Sequence, residues 1–467
     1  MTPVFDPLRF GAVSLDVLAF SRASPLAMAD RQRERLGVLL TSAMRDSRFY
    51  QAHLRGVVPG ATALDAIPPV KRQTLMDHFD EWVTDPQLKL QDLSAFTADP
   101  AVIGQPFLGK YLVWESSGTS HQPGIFVQDA HTMAVYDALE SLRRSAVRPL
   151  QRWFDPFMLS ERFAFVGATT GHFASFITMQ RTRALNPWLT PSMRSFSIMQ
   201  STRSLVDALN AYRPTVIATY PTAAAMLAEE ATRGTLKHRP REIWTGGETL
   251  RPAVRSVIEN ALACTVRNSY GASEFISMAW ECNQGNLHVN ADWVILEPVD
   301  AHGRPTPAGE CSHSTLLTNL ANLVQPLIRY DIGDQITLST ERCACGCTLP
   351  VVEVQGRRDD PLVMAGRRGR PVTLLPLALT TVLEDEAGVF DFQLRQLNDH
   401  TLVLRLPLQG PEGEATAARC CAALRQFGVA QELKPIKLTV ELGQSIARGR
   451  SGKAQQIVAA SAGLPVK

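Results

Sequence analysis

Three groups of residues in this chain are spaced for chemistry: a hydroxyl-rich turn, acidic residues that follow glycine turns, and thiols crowded near a histidine. The turn is Val113-Trp114-Glu115-Ser116-Ser117-Gly118-Thr119-Ser120-His121-Gln122-Pro123-Gly124. An apolar run from Tyr111 to Trp114 enters it and Ile125-Phe126-Val127 leaves it, which reads as strand, loop, strand. Gly118 permits backbone angles closed to other residues, so consecutive N–H groups can converge on one point. Ser116, Ser117, Thr119 and Ser120 add uncharged hydroxyl donors. Such a loop can wrap a polyphosphate and release it once pyrophosphate forms. It is not a Walker A loop, because no G-K-[ST] follows. Taken alone, the stretch also fits an ordinary polar hairpin.

The elements that must position such groups follow a clear rhythm. Phe163 to Val166 reads as a buried strand, followed by Gly171-His172-Phe173. A helix at Ser204–Leu209, a strand at Val216–Thr219, a helix at Thr222–Thr232 and a strand from Ile243 into Gly246-Gly247-Glu248 come next. A helix from Pro252 to Leu262 and the segment Val266 to Glu274 complete the run. Alternation of this kind predicts mainly parallel sheets flanked by helices, with ligands at the carboxyl ends of the strands. Gly246-Gly247-Glu248 and Tyr270-Gly271-Ala272-Ser273-Glu274 both fall at such ends. Residues 1 to about 110 read as helices and loops without obvious chemistry, and His131 to Val147 as an amphipathic helix. From Val289 onward strands and turns alternate.

The expected fold is therefore α/β. A large N-terminal domain (1–356) carries mixed or parallel sheets, and a small α+β C-terminal domain (357–467) joins it through a hinge near Gly356-Arg357-Arg358-Asp359-Asp360. A chain of 467 residues exceeds what one hydrophobic core usually supports. A net charge of +2, with both signs interspersed, gives no electrostatic case for nucleic acid or an anionic membrane. The best apolar run, Leu374 to Leu383, is too short to span a bilayer and contains Pro376. The N-terminus lacks a secretory pattern, so a cytoplasmic location is expected. In that reducing compartment Cys343-Ala-Cys345-Gly-Cys347 suggests metal rather than disulfides.

Five segments stand in one order: S-S-G-T-S, G-G-E, Y-G-A-S-E, R-Y-D-I-G-D and a late S-G-K. Together they resemble the adenylate-forming superfamily of acyl-CoA synthetases and adenylation domains, from about residue 110 to the end. The Cys-Ala-Cys-Gly-Cys run before Gly356-Arg357-Arg358-Asp359-Asp360 is similar to the phenylacetate-CoA ligase branch. The resemblance implies ATP- and Mg²⁺-dependent activation of a carboxylic acid, aromatic by preference, as an acyl-adenylate. The acyl group then passes to the thiol of coenzyme A. Fixed dipoles and cations must offset the repulsion between the two anions that react.

By the same resemblance, Ser116, Ser117, Gly118, Thr119 and Ser120 would hold the outer phosphates, and Glu274 would bind Mg²⁺ through carboxylate oxygen. Tyr270 would lie beside adenine, with Gly271, Ala272 and Ser273 completing its turn, while the Gly246-Gly247-Glu248 backbone would pass the base and ribose. Asp334 would accept the ribose hydroxyls and Arg357 would sit near ribose or phosphate. Lys453 would bridge the carboxylate and the α-phosphate. His172 would stand at the entrance to an acyl pocket lined by Phe173, Tyr220 and Pro221. A surface Glu, a hairpin Asp and a structural His are the plain alternatives for Glu274, Asp334 and His172.

Cys282, His288, Cys343 and Cys345 would supply three thiolates and an imidazole to a structural Zn²⁺, with Cys347 able to replace one of them. Two departures stand out. His121 occupies the place of a second glycine after S-G-T-S, and Met364-Ala365-Gly366-Arg367-Arg368-Gly369-Arg370 differs from the branch's Arg-Gly-x-Asn segment. The second leaves the acceptor open between coenzyme A and a carrier protein or an amine. A catalytically silent nucleotide-binding relative is a third reading. The identity of the acid, and whether the chain is a monomer or a homodimer, are not encoded legibly.

Overall fold

The computed structural model of the chain describes residues 4–21, 23–116, 124–143, 160–355, 361–389, 391–444, 446 and 455–460. The βα rhythm forms one side of a nine-stranded mixed sheet. Its parallel half runs Thr265–Ala272, Glu242–Thr245, Val216–Thr219, Phe163–Gly167 and Met193–Ser197. Phe163 pairs with Val216, Val216 with Glu242 and Glu242 with Thr265, so the strands start level and their following turns share one edge. The helices Thr202–Tyr212, Pro221–Thr232 and Pro252–Leu262 bury Leu205, Leu209, Leu227 and Ile258 in one core with Ile217, Ile243 and Val266. Each helix follows a strand and returns to the next one, as parallel pairing requires.

At Thr265–Ala272 the sheet changes sense. Phe275–Glu281 pairs back antiparallel, and Leu287–Val289, Val351–Val354 and Ile336–Leu338 extend the sheet beyond it. The reversal is so tight that a Cβ on Gly271 would lie 2.0 Å from the Ile276 carbonyl oxygen. Only glycine admits that approach.

Helices dominate the N-terminal layer, as expected. Pro7–Phe20 and Pro25–Asp46 each begin with proline behind a capping side chain: Asp6 accepts from the Leu8 and Arg9 amides, Ser24 from that of Ala27. Leu39, Tyr50 and Trp82 bury into a core shared with Trp114 and Phe275. Residue Val70 runs beside Tyr330 as a one-residue parallel bridge, with its amide on Arg329 and its carbonyl receiving the Asp331 amide.

Two elements fall where the sequence showed no pattern: the helix Ala174–Leu185 and the strand Met193–Ser197. The helix carries Arg181 on its buried face, where it forms a two-point pair with Asp137 at 2.8 and 3.0 Å. A buried arginine breaks the apolar period that announces an amphipathic helix.

The C-terminal part is α+β. Lys437–Leu442, Thr401–Leu406, Gln393–Asn398 and Ile457–Val458 form a four-stranded sheet against the helix Gly410–Ala430. A separate hairpin pairs Leu362–Ala365 with Pro371–Leu374. A helix, Pro376–Thr381, continues into a π turn, Val382–Glu386. The residues expected at the hinge, 356–360, lie outside the described part. Among the described residues no helix is long and apolar enough to cross a membrane.

Candidate active site

A cavity of about 2330 Å³ opens along the edge where the parallel strands end. Ser116, Tyr220, Gly246, Tyr270, Glu274 and Asp334 all line it. Residues drawn from five separate segments thus meet on one surface, those after Val216–Thr219 and Glu242–Thr245 because these strands lie level in the sheet.

The hydroxyl-rich turn stands on the antiparallel pair Leu112–Glu115 and Ile125–Gln128, as its flanking apolar runs predicted. Ser116 closes the described part of it: its amide donates to the Gly124 carbonyl at 2.8 Å, and its hydroxyl accepts the Gly124 amide at 3.0 Å. Ser117, Gly118, Thr119, Ser120 and His121 lie outside the described residues, as do Arg357 and Lys453. The Trp114 indole donates to the Ser273 carbonyl at 2.8 Å, and the Ser273 hydroxyl to the Glu115 carbonyl at 3.3 Å. These bonds fasten the Y-G-A-S-E turn to the hairpin.

The two acidic candidates are each met by a tyrosine. Glu274, 7 % exposed, accepts the Tyr330 hydroxyl at 2.8 Å. Asp334 accepts the Tyr270 hydroxyl at 2.9 Å. Burial, reinforced by the neighbouring carboxylates, raises both phenols well above their ordinary range, so both remain proton donors at neutral pH. Each carboxylate keeps lone pairs beyond those its tyrosine occupies. A cation at Glu274 and a diol at Asp334 are chemically suitable partners.

Gly247 has φ +79°, which turns the chain after Glu242–Thr245 and leaves Glu248 facing back. The Glu248 carboxylate accepts from the Thr222 amide and hydroxyl, both at 3.0 Å, and so caps the helix Pro221–Thr232. Its side chain therefore holds the Tyr220-Pro221 corner against the glycine turn, while the backbone of 246–248 borders the cavity.

Phe173, Tyr220 and Pro221 line the cavity, together with the aromatic rings of Phe163, Phe165 and Trp244. His172 does not join them. Its ring is 1 % exposed, sits edge-on to Phe96 at 5.5 Å and has Nε2 3.2 Å from the Asp99 carbonyl oxygen. Its own carbonyl receives the Glu115 amide at 2.8 Å. The structure thus uses His172 to tie the Gly171-His172-Phe173 turn to the hairpin, while Phe173 faces the cavity.

One cavity-lining residue carried no signal in the sequence. Arg72 begins the short helix Arg72–Asp77, and its Nη1 donates to the Ser116 hydroxyl at 3.2 Å. Its placement depends on the Val70–Tyr330 bridge, a contact between distant segments that no local pattern encodes.

A second constellation lies where the strands Phe275–Glu281 and Leu287–Val289 meet. Ligand atoms of Cys282, His288, Cys343 and Cys345 all fall within 4.8 Å of one another. The Sγ atoms of Cys282 and Cys343 are 3.7 Å apart, and Cys345 Sγ is 3.3 Å from His288 Nε2. A tetrahedron with Zn–S bonds of about 2.3 Å and a Zn–N bond of about 2.0 Å has edges of about 3.5 to 3.8 Å, so the quartet fits. His288 Nδ1 lies 3.0 Å from the Leu349 carbonyl oxygen, which leaves Nε2 as the ligand atom. The Gln284 and Cys347 amides donate to the sulfurs of Cys282 and Cys345, each at 3.4 Å. Cys347 itself stands outside the quartet.

With this geometry in view, comparison with known proteins defines the class. The profile of the AMP-binding enzyme family matches residues 176–311, the span from the cavity-lining helix through both tyrosine-bearing and glycine turns. Over that span the chain resembles AMP-binding enzymes. More particularly, it is similar to the phenylacetate-coenzyme A ligase of Thermus thermophilus, 27 % identical over 372 residues, 75 % of this chain and 74 % of the relative. A shorter stretch of 138 residues is 29 % identical to Protein CapK of Staphylococcus aureus, covering 29 % of each chain. Among solved structures, 2-hydroxyisobutyryl-CoA ligase with its adenylate and coenzyme A shares the fold. It has a TM-score of 0.59 at 20 % identity, over 94 % of this chain and 91 % of that one.

Proposed function

We propose that the protein activates a carboxylic acid with ATP and transfers the acyl group to the thiol of coenzyme A. The observation that carries this reading is the meeting of Ser116, Gly246, Tyr270, Glu274 and Asp334 on one cavity. The names of the relatives, two of them coenzyme A ligases, support the choice of acceptor.

In the first step the carboxylate oxygen attacks the α-phosphorus, and the bond to the β-phosphate breaks with its electrons on pyrophosphate. Ser116 to Ser120 would hold the outer phosphates and Asp334 the ribose, with Tyr270 orienting that carboxylate and flanking the base. Glu274 would hold Mg²⁺, which when bound offsets charge on the phosphates. Lys453 would deliver its ammonium to the forming bond, and Arg357 would support the ribose side. We place the domain boundary between residues 356 and 357, with a pivot near Asp359 that exchanges the two half-reactions. The aromatic lining of Phe163, Phe165, Phe173 and Trp244 favours an aromatic acid, stacked rather than hydrogen-bonded.

Cys282, His288, Cys343 and Cys345 would hold a structural Zn²⁺ that cross-links the 282–288 hairpin to the 343–349 loop. Eight cysteines without a disulfide suit a reducing cytoplasm. Of the three arginines in the departing segment, Arg367 donates to the Leu433 carbonyl at 3.0 Å and Arg368 pairs with Glu432 at 3.5 Å. Those contacts tie Arg367 and Arg368 to the 432–433 turn, while Arg368 stays exposed, so the segment could face either a coenzyme A phosphate or an acidic carrier.

The test is carboxylate-dependent exchange of pyrophosphate into ATP, run over a panel of aryl and alkyl acids, followed by thioester formation with coenzyme A or a holo carrier protein. Absence of exchange with every acid would sink the reading. Transfer to the carrier alone would move the acceptor from coenzyme A to a protein-bound arm.

A further inference from the structure

We infer that Arg72, from the N-terminal helical layer, binds the leaving pyrophosphate and stabilises the charge that builds on it during adenylate formation. The inference rests on the reading above for its reaction, but its geometry is independent of the late S-G-K segment.

Arg72 is half-buried, lines the cavity and donates to the Ser116 hydroxyl at 3.2 Å. The same guanidinium bears on the Tyr330 hydroxyl, whose proton goes to Glu274. It therefore sits between the start of the hydroxyl-rich turn and the carboxylate suited to a cation. Among the described residues no carboxylate forms an ion pair with it. Glu274 lies beyond the Tyr330 hydroxyl rather than in direct contact, so the guanidinium keeps donors that no carboxylate occupies. An arginine is a good choice where an anion arrives, and the planar fork of guanidinium matches phosphate oxygens two at a time.

The position is also held in place by design of the backbone. Val70 is bridged to Tyr330, and Arg329 donates to the carbonyls of Asp65 at 2.9 Å and of Ile67. Arg329 adopts φ +49°, a strained value for a residue with a side chain, in making these contacts. One three-residue stretch, 329–331, thereby locates both Arg72 and the tyrosine that meets Glu274. During the reaction the bond from the α-phosphorus to the bridging oxygen breaks, and both electrons leave with pyrophosphate. A fixed cation beside that group lowers the barrier without any proton transfer.

The experiment compares wild type with Arg72→Gln and Arg72→Lys in three measurements. Calorimetric titration with inorganic pyrophosphate in Mg²⁺ buffer is expected to show about tenfold or greater weakening in Arg72→Gln and partial recovery in Arg72→Lys. Pyrophosphate exchange should fall about 100-fold in Arg72→Gln, while thioester formation from supplied acyl-adenylate stays within about threefold. Undiminished pyrophosphate binding, or an equal fall in both half-reactions, would overturn the assignment. If wild type exchanges no pyrophosphate with any acid, the proposed reaction fails. The titration alone then decides whether Arg72 is an anion site. Arg72→Lys keeps the charge and helical propensity, so it remains informative if Arg72→Gln folds poorly.

Discussion

The Tyr270 hydroxyl donates to Asp334 across 2.9 Å and so joins two motifs that stand 64 residues apart. The bond fixes the carboxylate at the cavity edge. Asp334→Ala is expected to raise the KM for ATP about 10- to 100-fold, the worth of charge-assisted hydrogen bonds to a diol of about 1.5–3 kcal/mol. Tyr270→Phe should raise it less, because the Asp334 carboxyl group itself is kept. ATP saturation of acid-dependent pyrophosphate release measures both. An unchanged KM in Asp334→Ala would place the ribose elsewhere.

Glu274 is buried and receives a single tyrosine proton. Glu274→Gln keeps the shape and removes the charge. The expected result is a fall in adenylation rate of about 100-fold or more, together with a higher Mg²⁺ requirement. A Mg²⁺ titration of pyrophosphate exchange reads this directly. A variant with normal Mg²⁺ dependence would mean that Glu274 is structural.

The thiol quartet makes a stability prediction. The purified protein should carry about one zinc per chain, and Cys343→Ser should lose it with a clear drop in Tm, because ligand binding free energy is folding free energy at such a site. Elemental analysis and thermal melts, with and without a chelator, are the measurements. Cys347→Ser should retain the metal, since Cys347 stands outside the quartet.

Arg143 and Asp292 form a two-point ion pair, both contacts at 2.6 Å, with side chains 2 % and 0 % exposed. Arg143 also donates to Asn290 at 2.8 Å, so the pair locks the helix Ala130–Arg143 onto the 290–292 loop. Arg143→Met leaves a buried carboxylate unpaired and is expected to cost about 3–5 kcal/mol. Denaturant unfolding of the two proteins would show it as a lower midpoint.

His172 separates the two readings of its turn. Its ring packs on Phe96 and Asp99 outside the cavity lining. His172→Gln should therefore keep adenylation within about threefold while lowering stability by about 1 kcal/mol, as for other buried polar substitutions. A large loss of rate at unchanged Tm would restore the histidine to the chemistry.

What the sequence by itself determined is local. The apolar runs of 163–166, 216–219 and 243–245 specify strands, and Tyr220-Pro221 and Gly246-Gly247 after the last two specify turns at one sheet edge. Periodicity and steric freedom are properties of neighbouring residues, and so the α/β class, the two strands that flank the hydroxyl-rich turn and the acidic turns could be read directly. The C-terminal α+β pattern was legible for the same reason. Tertiary structure alone decided the pairings: Tyr330 with Glu274 at a separation of 56 residues, Arg72 with Ser116 at 44, and Cys345 with His288 at 57. It also hid the helix Ala174–Leu185, whose buried Arg181 makes sense only once Asp137 is beside it. Contacts of this kind depend on how separate elements pack, which a single chain's local pattern does not record.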